Sequence, residues 1–390
     1  MKKIMTLTCC TSLLFAGAAA AQSSLPADMV GTKASQSADK TPKEEKKLPV
    51  AAAATQSGVT IYGIADMGFA AESGGAAGNV RKLTSGIASG SRLGFRGTEV
   101  IGDGLSAFFL LEMGIGLDTG ASQQGGLTFG RQSYVGLMGD FGSVSAGRQY
   151  TPYYLITLAI DPFLGGFGGN STNLVPYTAA SGRLENQIRY TSPKFSGIRI
   201  DLAYGFGETA GSNSPNSQYD GNITYEDGPL FLGVAYHHRD NNLSSLTNID
   251  NARQTIFGAT YNFGILKASA GYGINKGVNS SPLRNTTNPY KSLVAPIAST
   301  DSTDIVLGVS VPFGASTILG SYVQKNDKTV RNQDASQWGV GYMYAFSKRT
   351  DVYTGYAKIN NKRGAGYTVG SVIETGSGDS AFQLGLRHRF

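Results

Sequence analysis

Residues 380–390 read SAFQLGLRHRF, and in them Phe382, Leu384, Leu386 and Phe390 share one parity while Gln383, Arg387 and Arg389 share the other. Alternation at period two marks a strand whose two faces meet different surroundings. No residue follows Phe390 to cover an edge, so the strand is expected either to be buried by a neighbour or to close a larger sheet. The same texture runs through the chain from Gly58 onward. In RIDLAYGFG, Ile200, Leu202, Tyr204 and Phe206 oppose Arg199, Asp201, Ala203 and Gly205; in SQWGVGYMYAF, Trp338, Val340, Tyr342, Tyr344 and Phe346 oppose Gly339, Gly341, Met343 and Ala345. One face is greasy, the other polar or tiny.

Sixteen such runs start between Val59 and Ser380, an even number as expected for antiparallel strands of a bacterial barrel. Short links such as GDFG, EDGP and PFGA take turns with long polar ones such as ETAGSNSPNS and RDNNLSSLTNIDNA. Short turns on one side and long loops on the other are a membrane-barrel signature, the short side being periplasmic. Phe263, Phe313 and Phe346 each end a greasy face just before a short turn, and Phe390 takes the equivalent place. Aromatic rings prefer the hydrocarbon–water interface, so these four are read as one girdle. In hydrocarbon an unpaired strand edge costs several kcal/mol per orphaned polar group, and closure of the last strand on the first, VTIYGIADMGF, removes it.

Composition agrees. Charged residues make up 15% of the 390, against about 25% in a typical soluble domain, and 53 glycines and 20 tyrosines accompany a single Trp338. No apolar stretch approaches the roughly 20 residues of a spanning helix, so a membrane is met by strands. The net charge of +6 includes Lys2 and Lys3, and the rest is too scattered to suggest nucleic acid.

The stretch MKKIMTLTCCTSLLFAGAAAAQ has a basic start, a short apolar middle and a small-residue end, which predicts a cleaved secretory signal over residues 1–21. Both cysteines, Cys9 and Cys10, lie inside it, so the mature chain is expected to carry no disulfide and no thiol chemistry. Residues 22–57 hold three prolines, no aromatic residue and a KTPKEEKK block, and are expected to form a mobile periplasmic extension. Residues 58–390 form the barrel.

The longest connection, TPYYLITLAIDPFLGGFGGNSTNLVPYTAASGR, falls between the fifth and sixth strands and is unusually apolar. Folding into the lumen would bury it. Asp161 in AIDPF is then a candidate acidic lip of a constriction, or alternatively a turn-initiating Asp before Pro162. In SRLGFRGTE, Arg92 and Arg96 alternate with Leu93 and Phe95, so they point inward if the latter meet lipid, and Glu112 in LLEMG falls on an inward parity. Catalysis is not expected, because His237, His238 and His388 have neither a nucleophile motif nor metal-site spacing around them. No cofactor or metal is called for.

GVTIYGIADMGF, SGSRLGFRGTEVIGDGLSAFFLLEMG, FGRQSYVGLMGDFGSVSAGRQYTP, RYTSPKFSGI and GLRHRF, in that order, make the chain resemble the general porins of the beta-proteobacterial type from Gly58 to Phe390. The resemblance implies a homotrimer of 16-stranded antiparallel transmembrane β-barrels in the outer membrane, each with an inward-folded third loop. It implies a water-filled diffusion channel for small hydrophilic solutes and ions, a cationic wall that includes Arg131, Arg148 and Arg183, and Phe390 as a signal to the outer-membrane assembly machinery. Basic groups facing acids on the loop would set a transverse field and a weak preference for anions. The extension before Gly58 departs from the family pattern. A substrate-selective channel, differing in loop chemistry at the constriction, is the main alternative. A loop-based adhesin is the other, but it needs no charges lining its inside.

Overall fold

The computed structural model describes residues 57–176, 182–212, 214–242, 248–371 and 373–390. The signal expected over 1–21 and all of the expected 22–57 extension except Ser57 lie outside them. The strands are β1 (Gly58–Ser73), β2 (Val80–Ser85), β3 (Arg92–Gly102), β4 (Leu105–Gly114), β5 (Gln132–Gly139) and β6 (Gly142–Tyr150). After helix α1 (Pro152–Ile160) follow β7 (Arg183–Thr191), β8 (Ile198–Gly205), β9 (Gln218–Asp227), β10 (Leu230–Arg239), β11 (Ala252–Asn262) and β12 (Lys267–Ser281). The chain continues through β13 (Ser299–Phe313), β14 (Ser316–Asp327), β15 (Ala335–Ala345), β16 (Thr350–Asn361) and β17 (Ser380–Arg389).

Every pairing is antiparallel, and the sheet closes. β1 pairs with β17 from Ile64↔Arg389 to Ser73↔Ser380, and Gly63 and Phe390 exchange backbone hydrogen bonds of 3.0 and 3.1 Å just beyond that ladder. The edge that SAFQLGLRHRF would leave open is therefore paired to its last residue. On its other side β1 pairs with β3 over its first half and with β2 over its second. β2 and β3 are thus two pieces of one stave, and the seventeen strands make a closed 16-stranded barrel. Sequence alternation finds only the β3 piece, because VRKLTS is too polar to show a greasy face and residues 86–91 interrupt the stave. Those six residues leave the sheet because Asp66 takes over their backbone: its carboxylate accepts from Ala88 N at 3.1 Å and Ser89 N at 2.7 Å.

The two faces of the strands separate as alternation predicts. Leu202 is 54% exposed on the outside while Asp201 beside it is 5% exposed on the inside. Phe263, Phe313, Phe346 and Phe390 are all exposed outward. His388 is outward too, its Nδ1 2.9 Å from Thr350 Oγ1. His238 stacks on Tyr219 with ring centroids 4.4 Å apart, and His237 turns inward to Asp220 at 2.9 Å.

Candidate pore wall and loop

The connection between β6 and β7 supplies the interior. Its helix starts where the sequence says one can: Thr151 caps it by accepting from Tyr154 N at 3.1 Å, and Pro152 takes the first turn, where a missing N–H costs nothing. Asp220 accepts from Tyr153 N at 2.8 Å and Asn222 donates to Pro152 O at 2.9 Å, so β9 holds the helix start. The helix packs against β8 to β13. Ile156 stands over Gly233, and Ile160 over Gly258 and Gly271, all on the inward face. A Cβ at Gly271 would sit 2.2 Å from Ile160 Cδ1, so these glycines are the space the helix occupies.

Beyond the helix the segment continues around the inner wall. Ser321 Oγ donates to Gly169 O at 2.6 Å, Gln337 Nε2 to Asn170 O at 2.8 Å, and Gly168 N to Gln383 Oε1 at 2.7 Å. Phe167 N donates to Ile87 O at 2.5 Å, and the Phe167 ring meets Tyr353 edge-on at 5.0 Å. The loop thus lines the wall from β9 round to the 86–91 segment. Alternation places Gln337, Gln383, Ser321 and Tyr353 inward but gives no sign of their partner. The signal the sequence does carry is the glycine at inward positions of β10, β11, β12 and β15.

Asp161 ends the helix. Its carboxylate accepts from Phe163 N at 2.9 Å, Gly165 N at 3.1 Å, Ser171 N at 2.9 Å and Ser171 Oγ at 3.1 Å. It is 2% exposed, so its oxygens are spent on the loop's own backbone. Burial pushes its carboxyl up to about 6, although the four donors pull the other way.

The sector that the loop leaves to others, β3 to β7, gathers the basic residues. Glu112 accepts from Arg131 Nε at 2.7 Å and from Tyr62 OH at 2.8 Å, with Arg92 3.7 Å away. Tyr150 OH accepts from Arg131 at 2.9 Å and from Arg183 at 2.6 Å, and the Arg183 guanidinium lies 4.3 Å above the Tyr150 ring. Arg96 lies 5.3 Å over the Tyr62 ring, a cation–π contact. Arg92, Glu112 and Arg131 are each 2% exposed and form a knot in which one carboxylate holds two guanidiniums, with Tyr150 OH accepting a further hydrogen from Arg131. Arg96 and Arg183 are only partly buried at its edge. Arg148 stands apart from the knot, donating to Gly130 O at 2.7 Å and Glu185 Oε1 at 2.8 Å. Parity is broken at Arg131 because it precedes β5, and at Arg148 because a bulge lies between Gly147 and Gln149. The predicted arginines and Glu112 therefore share one wall, while Asp161 lies elsewhere. Tyr62 and Tyr150, which link them, carry no sequence signal beyond inward placement.

Residues 6–364 match the family model described as Gram-negative porin. The chain is 31% identical to outer membrane porin protein 32 of Delftia acidovorans over 87% of its own length and 96% of that protein's. It is 27% identical to an outer membrane porin protein of Bordetella pertussis over 87% and 96% of the two lengths. Among solved structures it resembles the anion-selective porin from Comamonas acidovorans, with a TM-score of 0.69 and 29% identity over 86% of this chain and all of that one.

Proposed function

Because the chain belongs to the Gram-negative porin family and is an outer-membrane diffusion porin, we propose that its water-filled channel prefers anions weakly and that the β3–β7 wall sets the preference. The observation that carries this is the charge count of that wall. Six guanidinium groups, Arg92, Arg96, Arg131, Arg148, Arg183 and Arg189, stand against the three carboxylates Glu112, Glu185 and, on the adjoining β8, Asp201. A positive excess on one side of a water-filled passage raises the local anion concentration. The name of the Comamonas porin supports the same direction. Within the wall, Arg96, Arg148 and Arg183 act on passing solutes, and Arg92 and Arg131 hold Glu112. We assign Asp161 to the shape of the loop.

The molecule works as a homotrimer in outer-membrane lipid and passes small hydrophilic solutes, as a channel rather than an enzyme. Phe390 is read by the assembly machinery. The described barrel begins with β1 on the short-turn side, and deletion of residues 23–56 should leave conduction intact. The direct test is the zero-current potential of the purified protein in a planar bilayer across a potassium chloride gradient. A potential of anionic sign is expected at low salt; a cationic sign, or no conductance steps, refutes the reading.

A further inference from the structure

Arg284 lies in the connection between β12 and β13, and its guanidinium reaches two other loops at once. One terminal nitrogen donates to Asn173 Oδ1 at 3.1 Å, in the segment folded against the inner wall. The other donates to the backbone carbonyls of Ser371 at 2.7 Å and Glu374 at 3.2 Å, in the connection between β16 and β17. Both ends of this fork are fixed. Asn173 Nδ2 donates to Gln337 Oε1 on β15 and to Gly168 O, both at 2.8 Å. Glu374 accepts from Thr84 Oγ1 at 2.5 Å and pairs with Lys82 at 2.6 Å, both on β2. A chain of polar contacts therefore crosses from β12 to β2 over the long-loop end.

Beneath it lies an apolar layer in which Leu283 packs against a buried cluster containing Leu174, Val175, Tyr367 and Val369. Tyr290 OH adds a second tie between the outer two loops, donating to Tyr367 O at 2.7 Å. The tied loops belong to the side of the barrel from β12 round to β2 and border the β3–β7 wall where β2 meets β3.

We infer that Arg284 is a positioning residue for permeation, tying three loops into one lid so that solutes enter beside the arginine-bearing wall. The inference rests on the channel reading above. A planar guanidinium meets three neutral acceptors in fixed directions, whereas a lysine ammonium is a point charge that cannot span them. Releasing the fork frees the far end of the inner loop and the β16–β17 connection together. The sector thereby opened presents balanced charges: Lys325 pairs with Asp304 at 2.6 Å, and Arg387 and Arg389 share Asp351 at 3.2 and 2.8 Å with the Asp66 carboxylate close by, held like Arg387 to Ser89. Ions taking that path meet no excess of guanidinium.

The test compares full-length wild type, R284A and R284K in planar bilayers and in liposomes swollen with neutral sugars of increasing size. R284A is expected to raise single-channel conductance, shift the zero-current potential toward cations and admit larger sugars, with R284K between it and wild type. A wild type without conductance steps or without anionic sign refutes the channel reading itself. If wild type behaves as described and R284A matches it, or conducts less, the clasp is refuted. Should R284A not refold to a heat-resistant barrel, R284K decides by the same measurements.

Discussion

Gly169 of the inner loop and Gly339 of β15 touch backbone to backbone: a Cβ at position 339 would lie 2.4 Å from Gly169 Cα. No rotamer change relieves that contact, because the obstacle is main chain. At Gly271 the obstacle is the movable tip of Ile160.

Gly339→Ala should therefore lift the inner loop from the wall, with an overpacking cost of roughly 1–3 kcal/mol. Gly320→Ala is the control, since its Cβ would meet only Val309 Cγ1 at 3.2 Å. Hydrogen exchange of the amides of Phe167 and Gly168 reports the difference. Equal protection in the two variants would show that the glycine contact does not seat the loop.

The membrane face yields a second expectation. Leu202→Arg places a charge in lipid at a cost of roughly 2–4 kcal/mol near the midplane and should reduce the heat-resistant species on a gel. Asp201→Asn, which alternation alone marks as harmless, is not neutral here. Asp201 accepts from Arg189 at 2.7 Å, and both side chains are nearly buried. Losing its charge leaves Arg189 uncompensated. Adding Arg189→Gln should recover much of the loss; if it recovers none, the pair is not what Asp201 contributes.

These cases show where the sequence is legible. Leu202 and Asp201 declare their faces because lipid and lumen differ along the whole strand, and period two records that difference. The closure at Phe390 follows from the same physics. Gly339, Asp161 and Arg92 do not declare their roles, because each is decided by a partner far along the chain or by backbone geometry. Alternation placed Arg92 and Glu112 inward, yet only the assembled wall shows that Tyr62 and Arg131 join them into a buried knot. The tiny inward residues of β12 and β15 were visible in the sequence, but the loop that needs the room was not.

Asp161 gives a pH dependence with a definite sign. Its carboxyl stands at about 6 in the fold against an ordinary value of 3.8. The folded loop thus binds more protons than the unfolded chain between about pH 4 and 6, and the linkage slope is negative there: stability of the loop falls as pH rises through that window. Protection of the Gly165 and Ser171 amides, corrected for intrinsic exchange, should be lower above the window than below it. Asp161→Asn cannot titrate and should remove this dependence. It also turns an amide NH₂ toward backbone donors, at a cost of about 1–3 kcal/mol. A protection that stays level across the window in wild type would remove Asp161 as the titrating group.

The wall charges divide into two kinds, and their variants should separate accordingly. Arg96 and Arg183 lie over Tyr62 and Tyr150 at the edge of the knot, partly exposed. Two unit charges about 5 Å apart interact by roughly 1 kcal/mol in bulk-like water and roughly 3 kcal/mol at an effective dielectric near 20, so two guanidiniums that face permeating ions would bias them. Arg96→Ala with Arg183→Ala should move the zero-current potential toward cations while the barrel still assembles. Salt screens such fields over about 10 Å at 0.1 M, so the shift should be marked at low salt and fade toward 1 M. Arg131→Ala is different, because it strips Glu112 of its 2.7 Å partner inside a buried cluster. Its main effect should be a lower yield of heat-resistant barrel. Glu112→Gln leaves Arg92 and Arg131 facing each other and should do the same. If instead Arg131→Ala assembles normally and shifts the potential more than the Arg96 and Arg183 pair, the knot faces the permeating ions and the roles of the two groups are exchanged.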